Sequence, residues 1–89
     1  MSRSIEERAW LPRTDAVQLA EKLAEVGVYV KVEGSVRGWR VTLQGHTDLV
    51  DLCKVIDTMT VGEEPLHALY RPYGGDGWPD VLIYSGSKP

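Results

Sequence analysis

Two stretches of the chain repeat apolar residues at intervals of three and four, the spacing of one helix face. The first predicts a helix over about residues 14–26, with inner positions Ala16, Leu19, Ala20, Leu23 and Val26. Thr14 and Asp15 favour a helix start, because a Thr side chain accepts a bond from a free N–H and an acidic side chain suits the positive end of the helix dipole. Gly27 favours a stop, since glycine readily adopts the left-handed conformation that ends many helices.

The second stretch predicts a helix that begins at Thr47 and Asp48 and ends near Thr60. Its inner stripe comprises Leu49, Leu52, Cys53, Ile56 and Met59. A reactive thiolate needs partial exposure and a nearby positive charge or helix N-terminus. Because Cys53 lies in the middle of this apolar stripe, we expect it to be a packed core residue.

Apolar and polar residues alternate between and after the two helices, which is typical of half-buried strands. The alternation covers Val28 to Glu33 and Trp39 to Gln44, on either side of a turn that contains Gly34 and Gly38. These two runs predict an antiparallel hairpin. Residues 66–71 and 81–84 are two further strand candidates, and the segment between them, 72–79, is predicted to be a loop because it is rich in Gly and Pro.

The order of these elements predicts an α+β fold, with a four- or five-stranded, mainly antiparallel sheet and two helices packed on one face. Two orders are open. If Arg8 to Leu11 also forms a strand, the order is the split β-α-β pattern of ferredoxin-like folds; otherwise it is αββαββ. We expect residues 1–89 to form a single domain, with about 1–7 and 85–89 flexible.

The segment from Ala16 to Met59 follows the order helix, Gly, strand, turn, aromatic-led strand, helix. In this order it resembles the peptidoglycan-binding sporulation-repeat domains. The pattern is generic and covers half of the chain, so no family is assigned from it.

Composition narrows the class of protein without identifying it. The 89 residues carry a net charge of −3, and an apolar fraction of 43% is ordinary for a soluble globular domain. Residues 46–89 contain three basic and seven acidic side chains, which argues against a phosphate-binding surface in that half. Charges interrupt every apolar run, and the single cysteine excludes a disulfide within the chain. We therefore expect a cytoplasmic protein that does not enter a membrane.

No set of catalytic or metal-ligating residues stands out in the sequence. His46 and His67 are the only histidines, and neither has a second ligand at the spacing of a helical metal site. We expect His46 to lie at a turn and His67 to be a half-buried or surface residue on a strand. The Gly74 to Gly77 run lacks the Lys and Ser/Thr ending of a phosphate-binding loop. We predict a non-catalytic protein without a cofactor or metal.

Aromatic usage is the feature that invites a functional interpretation, because the chain has three Trp and four Tyr but no Phe. Several of these side chains lie in or beside the Gly-rich loop, together with an Arg. The candidate partner-binding residues are Tyr70, Arg71, Tyr73, Asp76 and Trp78. Trp, Tyr and Arg are enriched at binding hot spots. The leading hypothesis is a small protein-binding module, of a regulatory, adaptor or phage-type inhibitor kind. The alternative for Tyr73 and Trp78 is that they fold back to cap the small core.

Three other hypotheses stay open. A nucleic acid is the less favoured partner, and it would bind the exposed sheet face through Tyr29, Lys31, Arg37 and Arg40. A small ligand would lie between sheet and loop, with His67 or Asp76 as polar contacts. A homodimer would form through a sheet edge, because a small open sheet has exposed edges.

Overall fold

The computed structural model describes residues 4–44, 49–74 and 77–86. It contains three helices and five strands in these ranges: α1 Ile5–Arg8, α2 Arg13–Glu25, β1 Lys31–Ser35, β2 Gly38–Gln44, α3 Leu49–Ile56, β3 Thr60–Val61, β4 Glu64–Arg71 and β5 Asp80–Ser85. The strands form one sheet in the order β1-β2-β5-β4-β3, and all neighbours pair antiparallel. The α+β prediction is confirmed in its five-stranded form.

The sheet has helices on both faces, because alternate residues of each strand point to opposite sides. On one face, α2 and α3 pack over Val41, Leu43, Val81 and Ile83 and form the larger core. On the other face, α1 and the residue after it pack over Leu82 and Tyr84 in a smaller cluster. β5 is buried along its whole length, since it lies in the middle of the sheet and is covered on both sides.

The first predicted helix and the first hairpin are confirmed. α2 buries Ala16, Leu19 and Leu23, and Gly27 follows it with a φ of 83°. β1 begins at Lys31, three residues later than the alternation suggested, although the side chains of Val28 and Val30 still pack against the core. The apolar residues that the sequence pattern identified therefore do form the buried face of α2 and the core-facing side of the hairpin.

The segment Arg8 to Leu11 does not form a strand. Residues 5–8 form α1, which starts at Ser4 because its side chain accepts a hydrogen bond from the Glu7 N–H at 3.2 Å. Only Leu11 makes a β-type contact, a single antiparallel bridge to Trp39 with both N–H···O distances at 2.8 Å. The ferredoxin-like order is therefore wrong, and α2-β1-β2-α3-β4-β5 follows the αββαββ order, with α1 and β3 added.

The second helix is shorter than predicted. α3 ends at Ile56, and Thr60 and Val61 form β3 instead of the last helical turn. Thr58 helps to end the helix, because its hydroxyl donates to the carbonyl of Val55 at 2.7 Å and competes with further helical bonds. The predicted start at Thr47 and Asp48 lies outside the described residues.

Cys53 is exposed, which corrects the expectation that it is a core residue. A helix of eight residues, packed on one side only, buries a narrow stripe. Leu52 and Ile56 form that stripe and are fully buried, whereas Cys53 is displaced by about 100° from Leu52 around the helix axis. None of the helices in the described part of the chain is long and apolar enough to cross a membrane.

Candidate protein-binding loop

Three large aromatic side chains lie exposed on and beside the loop between β4 and β5. The exposed fractions are 81% for Tyr73, 71% for Trp78 and 55% for Tyr70. We call these three residues the aromatic surface. The alternative that Tyr73 and Trp78 fold back over the core is wrong, because both side chains are largely exposed and neither belongs to the two core clusters.

The backbone of the loop closes on itself. The Gly74 N–H donates to the Trp78 carbonyl at 2.7 Å, and the Gly77 N–H donates to the Gly74 carbonyl at 3.0 Å. Gly74 has no room for a side chain, because a Cβ would collide with the Asp80 carboxylate and lie 2.8 Å from the Trp78 carbonyl. These contacts hold Gly74 and the backbone of Trp78 close to the end of β5.

An ion-pair network lies at the base of the loop. The Arg71 guanidinium donates to both carboxylate oxygens of Asp80, at 2.8 and 2.6 Å, so the pair is bidentate. Arg71 also donates to Glu6 of α1 at 3.0 Å. The hydrogen bond from Arg71 to Asp80 raises the pKa of Arg71, so its charge is permanent. The side chains of Arg71 and Asp80 are only 16% and 6% exposed, so this Arg joins the two strand ends and does not extend the aromatic surface.

The other predicted contacts of the loop are less informative. Asp76 lies outside the described residues. His67 is half-buried on β4, as expected, and its ring packs against Tyr84 with the centroids 5.4 Å apart. A described cleft lies on the exposed side of α2, away from the loop, and is lined by Arg13, Thr14, Val17, Gln18 and Glu21. Within the described ranges, no group of three or more His, Cys, Asp or Glu could hold a metal ion.

The four residues of the nucleic-acid hypothesis do not form one basic patch. Tyr29 is 82% exposed and precedes β1, while Arg37 lies in the turn at the opposite end of the same hairpin. Lys31 is 2.7 Å from the Glu33 carboxylate, which compensates its charge. The side chains are therefore spread along the hairpin.

Arg40 is held inside the protein rather than presented to a phosphate. Its guanidinium lies 4.1 Å from the centre of the Trp10 ring and donates to the Glu6 backbone carbonyl at 3.0 Å. It also makes an ion pair with the Glu6 carboxylate at 3.1 Å. Sequence reasoning missed the roles of Glu6 and Trp10. The pattern of the chain contains no signal for them, since Glu6 meets Arg71 across 65 positions.

Comparisons with protein-family models, with curated proteins and with solved structures found no match.

Proposed function

We propose that this domain is a protein-binding module and that the aromatic surface, Tyr70, Tyr73 and Trp78, is its contact site. The observation that supports the proposal is the exposure of a Trp and a Tyr by more than two thirds on one short loop. Trp and Tyr are enriched at binding hot spots, where truncation of one side chain costs about 2 kcal/mol or more of binding free energy. Trp and Tyr are also enriched in protein–protein interfaces relative to the rest of the protein surface.

Fixation of the loop supports the proposal further. Association costs less when the contacting groups are already held in place. The Gly74–Trp78 hydrogen bond and the Arg71–Asp80 pair hold both ends of the loop, so the backbone beside Tyr73 and at Trp78 is anchored before a partner binds. An unanchored loop of the same composition would lose more conformational entropy on binding.

The chemistry of the surface indicates the kind of partner. Tyr and Trp combine a large apolar body with a hydrogen-bonding tip, so a suitable partner offers apolar pockets with acceptors at their rims. Residues 46–89 have an excess of four acidic side chains, so the partner surface should be neutral or basic. The same charge disfavours nucleic acid as the ligand.

Quantitative affinity capture from the cells that make the protein tests the proposal. Three baits are compared: the wild-type chain, a Tyr73→Ser, Trp78→Ser variant and a Tyr29→Ser variant. Tyr29 is the matched control, because it is as exposed as Tyr73 but precedes β1, the edge strand that β2 separates from β5. We expect one or a few proteins that the wild-type and Tyr29→Ser baits retain and the loop variant loses. If the loop variant retains every protein that the wild type retains, the aromatic surface is not the binding site.

A further inference from the structure

The outer edge of β4 is open along most of its length. β4 pairs with β5 from Leu66 to Arg71, whereas β3 on the other side reaches only Glu64 and Pro65. Among the described residues, no strand lies outside residues 66–71. An open edge of this kind is a template for one more strand.

Hydrogen bonding within the sheet fixes which backbone groups of this edge point outward. The Gly86 N–H donates to the Pro65 carbonyl at 2.9 Å, so this pair occupies a hydrogen-bonded position of the β4–β5 ladder. Hydrogen-bonded and non-hydrogen-bonded pairs alternate along an antiparallel ladder. The odd-numbered residues of β4 therefore bond to β5, and the N–H and C=O groups of Ala68 and Tyr70 point away from the sheet.

We propose that β4 pairs with β4 of a second copy of this chain, antiparallel about a two-fold axis centred on Leu69. The proposal rests on the proposed function, because it names a second copy as one partner of the surface that includes Tyr70. In this register, Ala68 exchanges both backbone bonds with Tyr70 of the second copy. The two-fold axis repeats the exchange, which gives four hydrogen bonds between the chains.

The structure permits the register centred on Leu69 and disfavours the two adjacent registers. A pairing centred on Ala68 would place the second copy beside Glu64 and Pro65, where β3 already lies. A pairing centred on Tyr70 would bring Ala68 opposite Pro72, which has no N–H to donate. Centring on Leu69 uses the free segment and stops where β3 begins.

Side chains along the edge suit this register. Leu69 would lie against Leu69 of the second copy, at the close spacing of a non-hydrogen-bonded pair. Tyr70, which is largely exposed, would lie across from the small side chain of Ala68. Large and small side chains would thus face each other on one side of the joined sheet, and two apolar side chains would meet on the other.

The charges along the edge also favour a second copy over a charged peptide. From residue 66 to 71 the only charged side chain is Arg71, and Asp80 and Glu6 already neutralise it. Two such edges meet without repulsion. At the other open edge of the sheet, β1 presents Lys31 and Glu33, and charged edge residues protect against strand addition.

A disulfide trap tests the register. In a Cys53→Ser background, Leu69→Cys places two thiols on the two-fold axis with the Cα atoms about 4.5 Å apart, within the range that a disulfide spans. We expect rapid formation of a covalent dimer under mild oxidation. Glu33→Cys in the same background is the control, because it puts an exposed thiol on the β1 edge, and it should crosslink much more slowly. Equal rates for the two variants would overturn the proposal.

Ala68→Pro tests the backbone bonds independently. It removes an N–H that points outward and leaves the ladder to β5 intact, and circular dichroism verifies that the variant folds. Because two of the four interchain bonds disappear, sedimentation equilibrium should show association weakened by about tenfold or more. A wild-type chain that stays monomeric at high concentration, or a folded Ala68→Pro variant that associates as well as the wild type, would also overturn the proposal.

The outcomes separate this inference from the proposed function. If the chain is monomeric but the Tyr73→Ser, Trp78→Ser bait still loses captured proteins, only the self-pairing is wrong. If the chain dimerises and no captured protein depends on the loop, the aromatic surface has no other protein partner.

Discussion

Replacing Asp80 by Asn should destabilise the fold far more than removing an acid from the surface. Asp80 accepts two hydrogen bonds from Arg71, and the two side chains are 6% and 16% exposed. Asp80→Asn removes the negative charge and one acceptor. Arg71 then keeps its positive charge in a largely buried place, with only the more exposed Glu6 to compensate.

The magnitude follows from the burial of the pair. Breaking a buried ion pair by removing one partner costs about 3–5 kcal/mol, and the remaining contact with Glu6 places this case at the low end, about 3 kcal/mol. For a domain of this size, that loss lowers Tm by more than about 10 °C. The matched control is Glu33→Gln, which breaks the pair with Lys31 at 2.7 Å where both side chains are 54% exposed. Exposed pairs contribute less than about 1 kcal/mol.

Urea unfolding, followed by tryptophan fluorescence, measures both variants against the wild type. If Asp80→Asn costs no more free energy of unfolding than Glu33→Gln, the Arg71–Asp80 pair contributes no more to stability than an exposed pair. The cost of Asp80→Asn should also be constant between about pH 7 and pH 10. The pKa of Arg71 is raised in the folded state, so its contribution is fully present below its unfolded-state pKa and is lost only at still higher pH. A cost of Asp80→Asn that decreases between about pH 7 and pH 10 would contradict the assignment of a permanent charge to Arg71.

Three further predictions concern the loop and the core. Gly74→Ala should lower the free energy of urea unfolding by about 2 kcal/mol or more, because the added methyl meets occupied space, whereas Gly77→Ala, at a φ of 84° in open space, should cost about 1 kcal/mol. Cys53 should react with Ellman's reagent in the native protein about as fast as in urea, and a thiol that needs denaturant would contradict its exposure. Trp78→Ala should change Tm by at most a few degrees while Trp39→Ala, which removes packing against the core, lowers it by more than 10 °C; similar shifts would contradict the assignment.

Local patterns were enough to predict α2 and the main strands. The i, i+3, i+4 spacing from Ala16 to Leu23 and the alternation from Trp39 to Leu43 each depend on neighbouring residues and on one buried face. Neither pattern could show where an element stops. After α3 the N–H groups of Thr58 and Met59 bond only three residues back, to Val55 and Ile56, and a pattern of apolar positions does not contain that information.

Long-range contacts set the features that the sequence did not reveal. α1 has only four residues, and it docks through Glu6 to Arg71 and Arg40, which lie far along the chain. Because of these contacts, Arg71 is not presented at the predicted partner-binding loop and Arg40 is not presented on the predicted nucleic-acid-binding face. The sequence does not determine whether Tyr73 and Trp78 are exposed, for a similar reason. Composition places aromatic residues in a loop, but whether they cap the core depends on what else covers the sheet.

Site-specific photocrosslinking tests most directly whether the aromatic surface contacts another protein. A benzoylphenylalanine replaces Tyr73 in one chain and Tyr29 in another, and both chains are irradiated in the cells that make the protein. The two positions are almost equally exposed, at 81% and 82%, so the reactive group meets solvent equally at both. We expect a discrete crosslinked product from position 73 and none of comparable yield from position 29. No product from position 73, or the same products from both positions, would contradict this expectation.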